Sequence, residues 1–233
     1  IISVNENVTS RRNSFIDIQP DPAYGTIAAN GWGVFALGNS GNFDLKVSGF
    51  GGAATDPVSF SDCSGGIYAY NINSSLIGNN MQNILQCGIL QRFSTNRVVY
   101  ISSNNIETRF WGIRLAQNDP ANNLDVRSNT IKLAPPIATP NSAGIDVAEN
   151  NNLHTDAYIY NNAIQVDDNG EYGIRLNSSQ GMVVHENQVN LNQNINPAFI
   201  AGIKLENCRF TSIECNTVFG NFVGGNTLIR KAA

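Results

Sequence analysis

A two-part motif recurs along the chain, and it restricts the fold more than any other feature of the sequence. The motif opens with Gly-Ile, at Gly66, Gly88, Gly112, Gly144, Gly173 and Gly202. It closes with Asn, one free position, and Ile, Val or Met, at Asn79, Asn104, Asn129, Asn162, Asn187 and Asn216. Successive closing asparagines are separated by 25, 25, 33, 25 and 29 residues. Repeats of this length, with variation confined to insertions, predict a solenoid in which each repeat contacts mainly its neighbours.

The spacing of apolar residues inside each repeat predicts strands and excludes helical repeats. In residues 112–115 and 124–126, apolar and polar side chains alternate, which is the period of a β-strand. Two or three short strands per repeat, each about 4.8 Å from the equivalent strand of the next repeat, describe a right-handed parallel β-helix. We therefore expect an all-β solenoid of about seven to eight coils.

The whole chain is predicted to form a single β-helix domain over residues 1–233. Residues 1–65 carry blurred copies of the motif, residues 66–219 carry regular ones, and residues 220–233 form a partial last coil or a cap. The chain begins at Ile1 without a Met or a basic, apolar signal region, and its first apolar run lacks a preceding coil. We interpret the sequence as a piece of a longer chain, because an uncovered β-helix end exposes unpaired backbone.

The repeats resemble those of the pectate-lyase-like superfamily of parallel β-helix proteins, and the resemblance covers most of the chain. It implies that the six closing asparagines form a structural ladder of stacked amides and that carbohydrate lies along one edge of the solenoid. Insertions at residues 134–142, 167–172 and 192–199 all precede a Gly-Ile pair, so we expect them on the same edge; they either wall a groove there or simply collect where the fold tolerates insertions. The Gly-His-Gly motif of polygalacturonase-like enzymes is absent, since neither His154 nor His185 is flanked by Gly. No catalytic residue is therefore transferred, and the catalytic set stays unknown.

Composition narrows the class of partner. Charged residues make up 14% of the chain and the formal net charge is −4, which does not fit a nucleic-acid-binding protein. No apolar run approaches the roughly 20 residues needed to cross a bilayer. We expect no nucleic-acid partner and no membrane span in this segment.

An outward-facing column of charged residues lies between the inward Ile and Leu of the Gly-Ile strands. In successive coils it contains Arg114, Asp146, Arg175 and Lys204, and we call these four residues the basic strip. One interpretation is a ladder in which Asp146 pairs with Arg114 or Arg175. The other is a site for an acidic glycan, in which Arg or Lys binds a uronate carboxylate and Asp146 acts as a base or ligand.

A second exposed face carries tyrosines on the strands that precede the closing asparagines. Tyr100, Tyr158 and Tyr160 are candidate carbohydrate-binding residues, because aromatic rings on an exposed face can stack on sugar rings. His185 next to Glu186 is a weaker candidate for proton transfer, since an exposed His beside a carboxylate is common.

The cysteines and acidic residues give two further sets of candidates. Cys63, Cys87, Cys208 and Cys215 lack zinc-site spacing; disulfides Cys63–Cys87 and Cys208–Cys215 and buried thiols are both compatible with the sequence. No cofactor is expected, although Asp167, Asp168 and Glu171 lie close enough in sequence to contribute oxygens to a Ca²⁺ ion. Solvated loop charges are the simpler interpretation of that cluster.

Three functions are compatible with these features. The first is a non-catalytic, secreted or cell-surface bacterial module that serves as a rigid scaffold and binds an acidic polysaccharide or neighbouring surface proteins. The second is an enzyme, either a polysaccharide lyase or epimerase that uses the basic strip on an acidic glycan, or a glycoside hydrolase. The third is a tailspike-like receptor-binding segment, whose signature would be trimerisation.

Overall fold

The structure is a computed structural model, and it describes residues 1–20, 31–38, 43–92, 97–116, 123–137, 139–148, 153–167, 169–192, 201–221 and 229–232. Every regular element in this part of the chain is a β-strand, and the strands form three parallel sheets. The chain visits the three sheets in turn, so each strand pairs with the strand three places later in sequence. This is the connectivity of a parallel β-solenoid.

The strand bounds follow this three-fold order. The first sheet contains β1 (Ile2–Val4), β4 (Trp32–Leu37), β7 (Gly65–Tyr70), β10 (Cys87–Arg92), β13 (Trp111–Ala116), β16 (Ala143–Ala148), β19 (Tyr172–Asn177), β22 (Ala201–Glu206) and β25 (Ile229–Ala232). The second contains β2 (Val8–Arg11), β5 (Asp44–Ser48), β8 (Asn73–Ile77), β11 (Val98–Ser102), β14 (Asn123–Arg127), β17 (Leu153–Tyr160), β20 (Gln180–His185) and β23 (Ser212–Glu214). The third contains β3 (Phe15–Ile16), β6 (Phe60–Ser61), β9 (Asn80–Ile84), β12 (Asn105–Thr108), β15 (Thr130–Leu133), β18 (Ala163–Val166), β21 (Gln188–Asn192) and β24 (Thr217–Asn221).

The predicted all-β class and parallel β-helix architecture are confirmed, with about six fully formed turns. In the six coils from β7 to β24, every strand has at least three residues, whereas the third-sheet strands of the two earlier coils, β3 and β6, have only two. The third-sheet strands of the first coils are shorter because these coils lack parts of the motif. Two residues before β6, for example, the chain has Val58 where later coils have Asn.

The core is a set of aliphatic columns that run along the solenoid axis. The Ile that follows each motif glycine is fully buried and stacks in register on the Ile of the next coil, in the order Ile67, Ile89, Ile113, Ile145, Ile174 and Ile203. The preceding glycine is required by close approach of the coils. A Cβ atom at Gly112 would lie 2.4 Å from the carbonyl oxygen of Gly144 and 2.5 Å from Cγ2 of Ile131.

A left-handed residue precedes every closing asparagine and turns the chain from the second sheet into the third. In the regular coils these residues have φ between 52° and 64°. They are Gly78, Ser103, Ser128, Asn161, Glu186 and Cys215. The corner is therefore the same in each coil, although only one of the six corner residues is the glycine that this conformation favours.

No helix in the described ranges is long and apolar enough to cross a bilayer.

Candidate functional site

The six closing asparagines form one continuous column of hydrogen-bonded amides inside the solenoid. Each of the first five donates from both its backbone N–H and its Nδ2 to the Oδ1 of the Asn in the next coil, at 2.9–3.1 Å. Nδ2 also donates to a backbone carbonyl of the preceding coil, as Asn129 does to Ile101 at 3.1 Å. All of these asparagines except Asn216 are at most 1% exposed. Because water cannot reach the five buried amides, they act as part of the scaffold.

The basic strip is not the exposed column that its sequence positions predict. Asp146 is 0% exposed and Arg175 is 6% exposed, while the side chains of Arg114 and Lys204 keep 23% and 17% exposure. Asp146 lies between the two arginines: Nε of Arg175 is 2.7 Å from its Oδ1, and Nε of Arg114 is 3.2 Å from its Oδ2. The structure therefore contains the charge ladder, with one carboxylate held by two guanidinium groups.

Residues 139–142 of the first insertion help to explain the burial of the basic strip. Asn141 accepts a hydrogen bond from Nη1 of Arg175 at 2.6 Å, and its carbonyl oxygen accepts one from the indole N–H of Trp111 at 3.1 Å. The guanidinium of Arg114 lies 3.9 Å from the centre of the Trp111 ring. At the end of the strip, Lys204 pairs with Glu206 at 3.1 Å. The exposure predicted for Asp146 and Arg175 is wrong because strand position shows which way a side chain points, not what lies over it.

The described cysteines are all free thiols, so the disulfides considered for Cys63–Cys87 and Cys208–Cys215 are not formed. Cys63 and Cys87 are buried, which agrees with the thiol alternative, whereas Cys208 is half-buried and Cys215 is exposed. Burial raises the pKa of the Cys87 thiol to about 12. Cys87 is therefore a neutral, apolar filler at physiological pH.

Tyr100, Tyr158 and Tyr160 lie on the outer face of the second sheet, which we call the tyrosine face. This face is partly exposed, and hydrogen bonds and ring contacts fix some of its side chains. Arg127 lies between two of the predicted tyrosines: its Nε donates to the Tyr100 hydroxyl at 2.9 Å and its Nη1 to the Tyr160 hydroxyl at 2.6 Å. Tyr160 stacks on His185, with ring centres 5.0 Å apart and planes 8° apart. Tyr158 is 38% exposed. The three tyrosines thus lie on one surface, and two of them are held in place by the same guanidinium.

Charges on this face are paired. Arg127 lies 3.8 Å from Asp125, whose side chain is 22% exposed. Burial raises the pKa of Asp125, and Arg127 opposes that rise. The Tyr100 and Tyr160 hydroxyls raise the pKa of Arg127, so the guanidinium stays charged. The strand alternation places Arg127 on this face, in one column with Ser102 and Tyr160, but sequence reasoning gives it no binding or positioning role.

A cavity of about 430 Å³ opens at the N-terminal end of the tyrosine face. It lies where the short side chain of Ser75 separates Lys46 from Tyr100 in three successive strands. Asn73 and Val98 extend it toward the strand beginnings, next to Asp44. We call this cavity the Ser75 slot. The sequence signal for it is a serine in a column whose two neighbours carry long side chains.

Two of the three insertions meet on one edge, as their positions in the repeat predict. The N–H of Thr139 donates to the carbonyl oxygen of Asn169 at 3.2 Å, and the N–H of Asn141 donates to Glu171 at 2.7 Å. The edge also carries a groove of about 430 Å³, lined by Leu85, Gln86, Arg109, Phe110, Trp111, Pro136, Ile137 and Thr139. Residues 193–199 of the third insertion lie outside the described residues.

Two of the three acidic residues considered for calcium lie in the described part of the chain, and both contact other protein groups. Asp167 accepts a hydrogen bond from Gln165 at 2.6 Å and lies 3.9 Å from Lys132. Glu171 accepts the Asn141 N–H, and Asp168 lies outside the described residues. Within the described ranges, no group of three or more His, Cys, Asp or Glu side chains is arranged to hold a metal ion.

Comparison with known proteins gives no match among family models, curated proteins or solved structures.

Proposed function

We propose that this chain is a non-catalytic, secreted or cell-surface β-helix module of the pectate-lyase-like type, which serves as a rigid scaffold and binds glycan on the tyrosine face. The observation that carries the proposal is the ordered group of Tyr100, Arg127, Tyr160 and His185 beside the exposed Tyr158. A ring whose orientation is fixed before the ligand arrives favours stacking on sugar, because ordering a ring on binding costs affinity.

The scaffold part of the proposal rests on the register of the sheets. Each strand of the regular coils except β23 and β24 pairs on both sides, and the buried Asn column joins the corners from coil to coil. The side chains of the tyrosine face therefore stand on adjacent strands about 4.8 Å apart. Such a surface presents its groups at a fixed spacing to an extended polymer.

The basic strip does not favour the enzyme alternative. A general base must reach the proton that it removes, and Asp146 is fully buried between Arg114 and Arg175. The expectation of an acidic glycan also loses its main support, since the cations that would bind uronate groups are largely covered and paired. Binding without turnover remains the function that the exposed surface supports.

The test is a binding panel with matched variants. Pectate, alginate, hyaluronan, cellulose-derived and mannan-derived oligosaccharides are titrated against the wild type, Tyr158→Ala and Tyr160→Ala. Loss of one aromatic contact should weaken binding roughly tenfold. Phe219→Ala is the control, because Phe219 is 48% exposed but lies on the third sheet. Equal weakening by all three variants, or new ultraviolet absorbance from unsaturated sugar ends, would contradict the proposal.

A further inference from the structure

The Ser75 slot has the dimensions of a site for one layer of ligand atoms. Lys46 and Tyr100 flank Ser75 in consecutive strands of the second sheet, so their strands are separated by two strand spacings, or roughly 9.5 Å. One layer of atoms in contact with a wall on each side needs roughly 7 to 8 Å. The slot therefore accepts a single ring on edge between Lys46 and Tyr100, and Ser75 forms its floor.

The wall formed by Tyr100 is held in place from the opposite side. Arg127, on β14, lies 4.8 Å from the centre of the Tyr100 ring and donates hydrogen bonds to its hydroxyl from Nε and Nη2. The slot lies on the other side of Tyr100, toward β8. Arg127 thus fixes the orientation of the Tyr100 ring, and the ring face that borders the slot stays open to a ligand.

The polar groups of the slot are suited to hydroxyl groups. Lys46 lies 3.9 Å from Asp44, beyond hydrogen-bond distance, and both side chains are about half exposed, so each can bind a further group. The Ser75 hydroxyl forms no hydrogen bond to the other described residues, whereas Asn73 is used by Asp44 and by the N–H of Val98. A donor, an acceptor and a hydroxyl at one site match the alternating donors and acceptors of adjacent sugar hydroxyls.

The charge balance of the slot indicates which sugars it takes. Lys46 is offset by Asp44, and Arg127 behind Tyr100 is offset by Asp125. Among the described residues at the slot, no cation lacks a nearby carboxylate, so none is left over for an acidic sugar. We propose that the Ser75 slot binds one neutral pyranose unit of the glycan, stacked on Tyr100 and hydrogen-bonded by Ser75, Lys46 and Asp44; this inference rests on the proposed glycan-binding function.

The experiment uses calorimetric titration with cellotetraose, mannotetraose and laminaritetraose as neutral probes and tetragalacturonate as the acidic probe. Ser75→Tyr fills the slot, and Ser212→Tyr is its matched control, because Ser212 lies in the same column on β23. We expect a neutral probe to bind the wild type and Ser212→Tyr equally and Ser75→Tyr at least tenfold more weakly. Lys46→Gln removes the charge of a side chain that is 58% exposed, and it should weaken the same probe roughly threefold to tenfold.

The other outcomes overturn distinct statements. If a neutral probe binds Ser75→Tyr as well as the wild type while Tyr158→Ala weakens it, the slot is wrong and the proposed function stands. If tetragalacturonate binds more tightly than every neutral probe, the neutral class is wrong and the function stands. If none of the four probes nor any glycan of the wider panel binds, both the slot and the function are wrong. Urea midpoints of the Tyr variants separate lost binding from lost folding.

Discussion

Asn129→Ala tests the energetic role of the buried amide column most directly. The substitution removes four hydrogen bonds: from Nδ2 to Asn162 and to Ile101, and from the N–H and Nδ2 of Asn104 to Oδ1. A buried hydrogen bond contributes roughly 1 kcal/mol net, and water cannot replace these because Asn129 is 1% exposed. We expect the free energy of unfolding to fall by about 4 kcal/mol.

Asn216→Ala shows whether the loss of stability depends on how deeply the asparagine is buried or only on how many hydrogen bonds it makes. Asn216 also takes part in four hydrogen bonds, since it accepts two from Asn187 and donates to the carbonyl oxygens of Val184 and Glu214. Solvent reaches this end of the column, so water can replace part of what is lost. We expect a loss of about 1 to 2 kcal/mol.

Urea unfolding followed by far-ultraviolet circular dichroism measures both losses, with Asn123→Ala as the control. Asn123 is exposed at the start of β14, so its substitution should change stability by less than about 0.5 kcal/mol. The slope of the free energy against urea should not change among the variants. A loss for Asn129→Ala within about 0.5 kcal/mol of the Asn123→Ala value would refute the argument that the buried amides stabilise the coils.

Three other predictions follow from the packing. Asp125→Asn should stabilise the protein at pH 7 but not below pH 3. Burial raises the pKa of this carboxyl in the folded state, so ionising it costs stability only as the pH rises through that pKa; urea midpoints at the two pH values measure the difference between the variant and the wild type. Cys215 should react with a thiol reagent at pH 8 in the native state, while Cys87, with a pKa of about 12, should react only after unfolding; a colorimetric thiol count against time checks this. Gly112→Ala should cost about 3 kcal/mol by urea unfolding, since its Cβ would meet the Gly144 carbonyl oxygen; a cost near zero would show that the coils can separate there.

The sequence predicts the fold well because the features that build the coil are local and repeated. Alternation gives the strands, the Gly-Ile pair marks where coils approach closely, and the closing Asn marks a corner that must satisfy buried backbone groups. The first coils are harder to predict, because Val58 occupies the position that the closing Asn has in later coils, so the motif is absent although the strands still pair in register. The sequence does not predict the left-handed corner residue, since the Ser, Glu and Cys found at four of the six corners lack the tolerance of positive φ that Gly78 and Asn161 have.

The candidate site is less accessible to sequence reasoning, for two physical reasons. Burial of Asp146 depends on contacts between Arg175 and Asn141, residues 34 positions apart that meet only when the insertion folds back. The role of Arg127 depends on register, since its side chain reaches Tyr160 in its own column and, one column sideways, Tyr100 on the preceding strand. Sequence reasoning gives the direction of a side chain from its strand, but not the lateral partner that it selects.

The amide column makes the two ends of the rod electrically different, although it is built from uncharged groups. Five of its side-chain carbonyl groups accept from the asparagine of the preceding coil, so their Oδ1 atoms point toward lower residue numbers. The dipoles of these five groups add in one direction, as peptide dipoles do in a helix. The partial charge is negative near Asn79 and positive near Asn216. A carboxylate introduced beside Asn216 would therefore be attracted, and the same group beside Asn79 would be repelled.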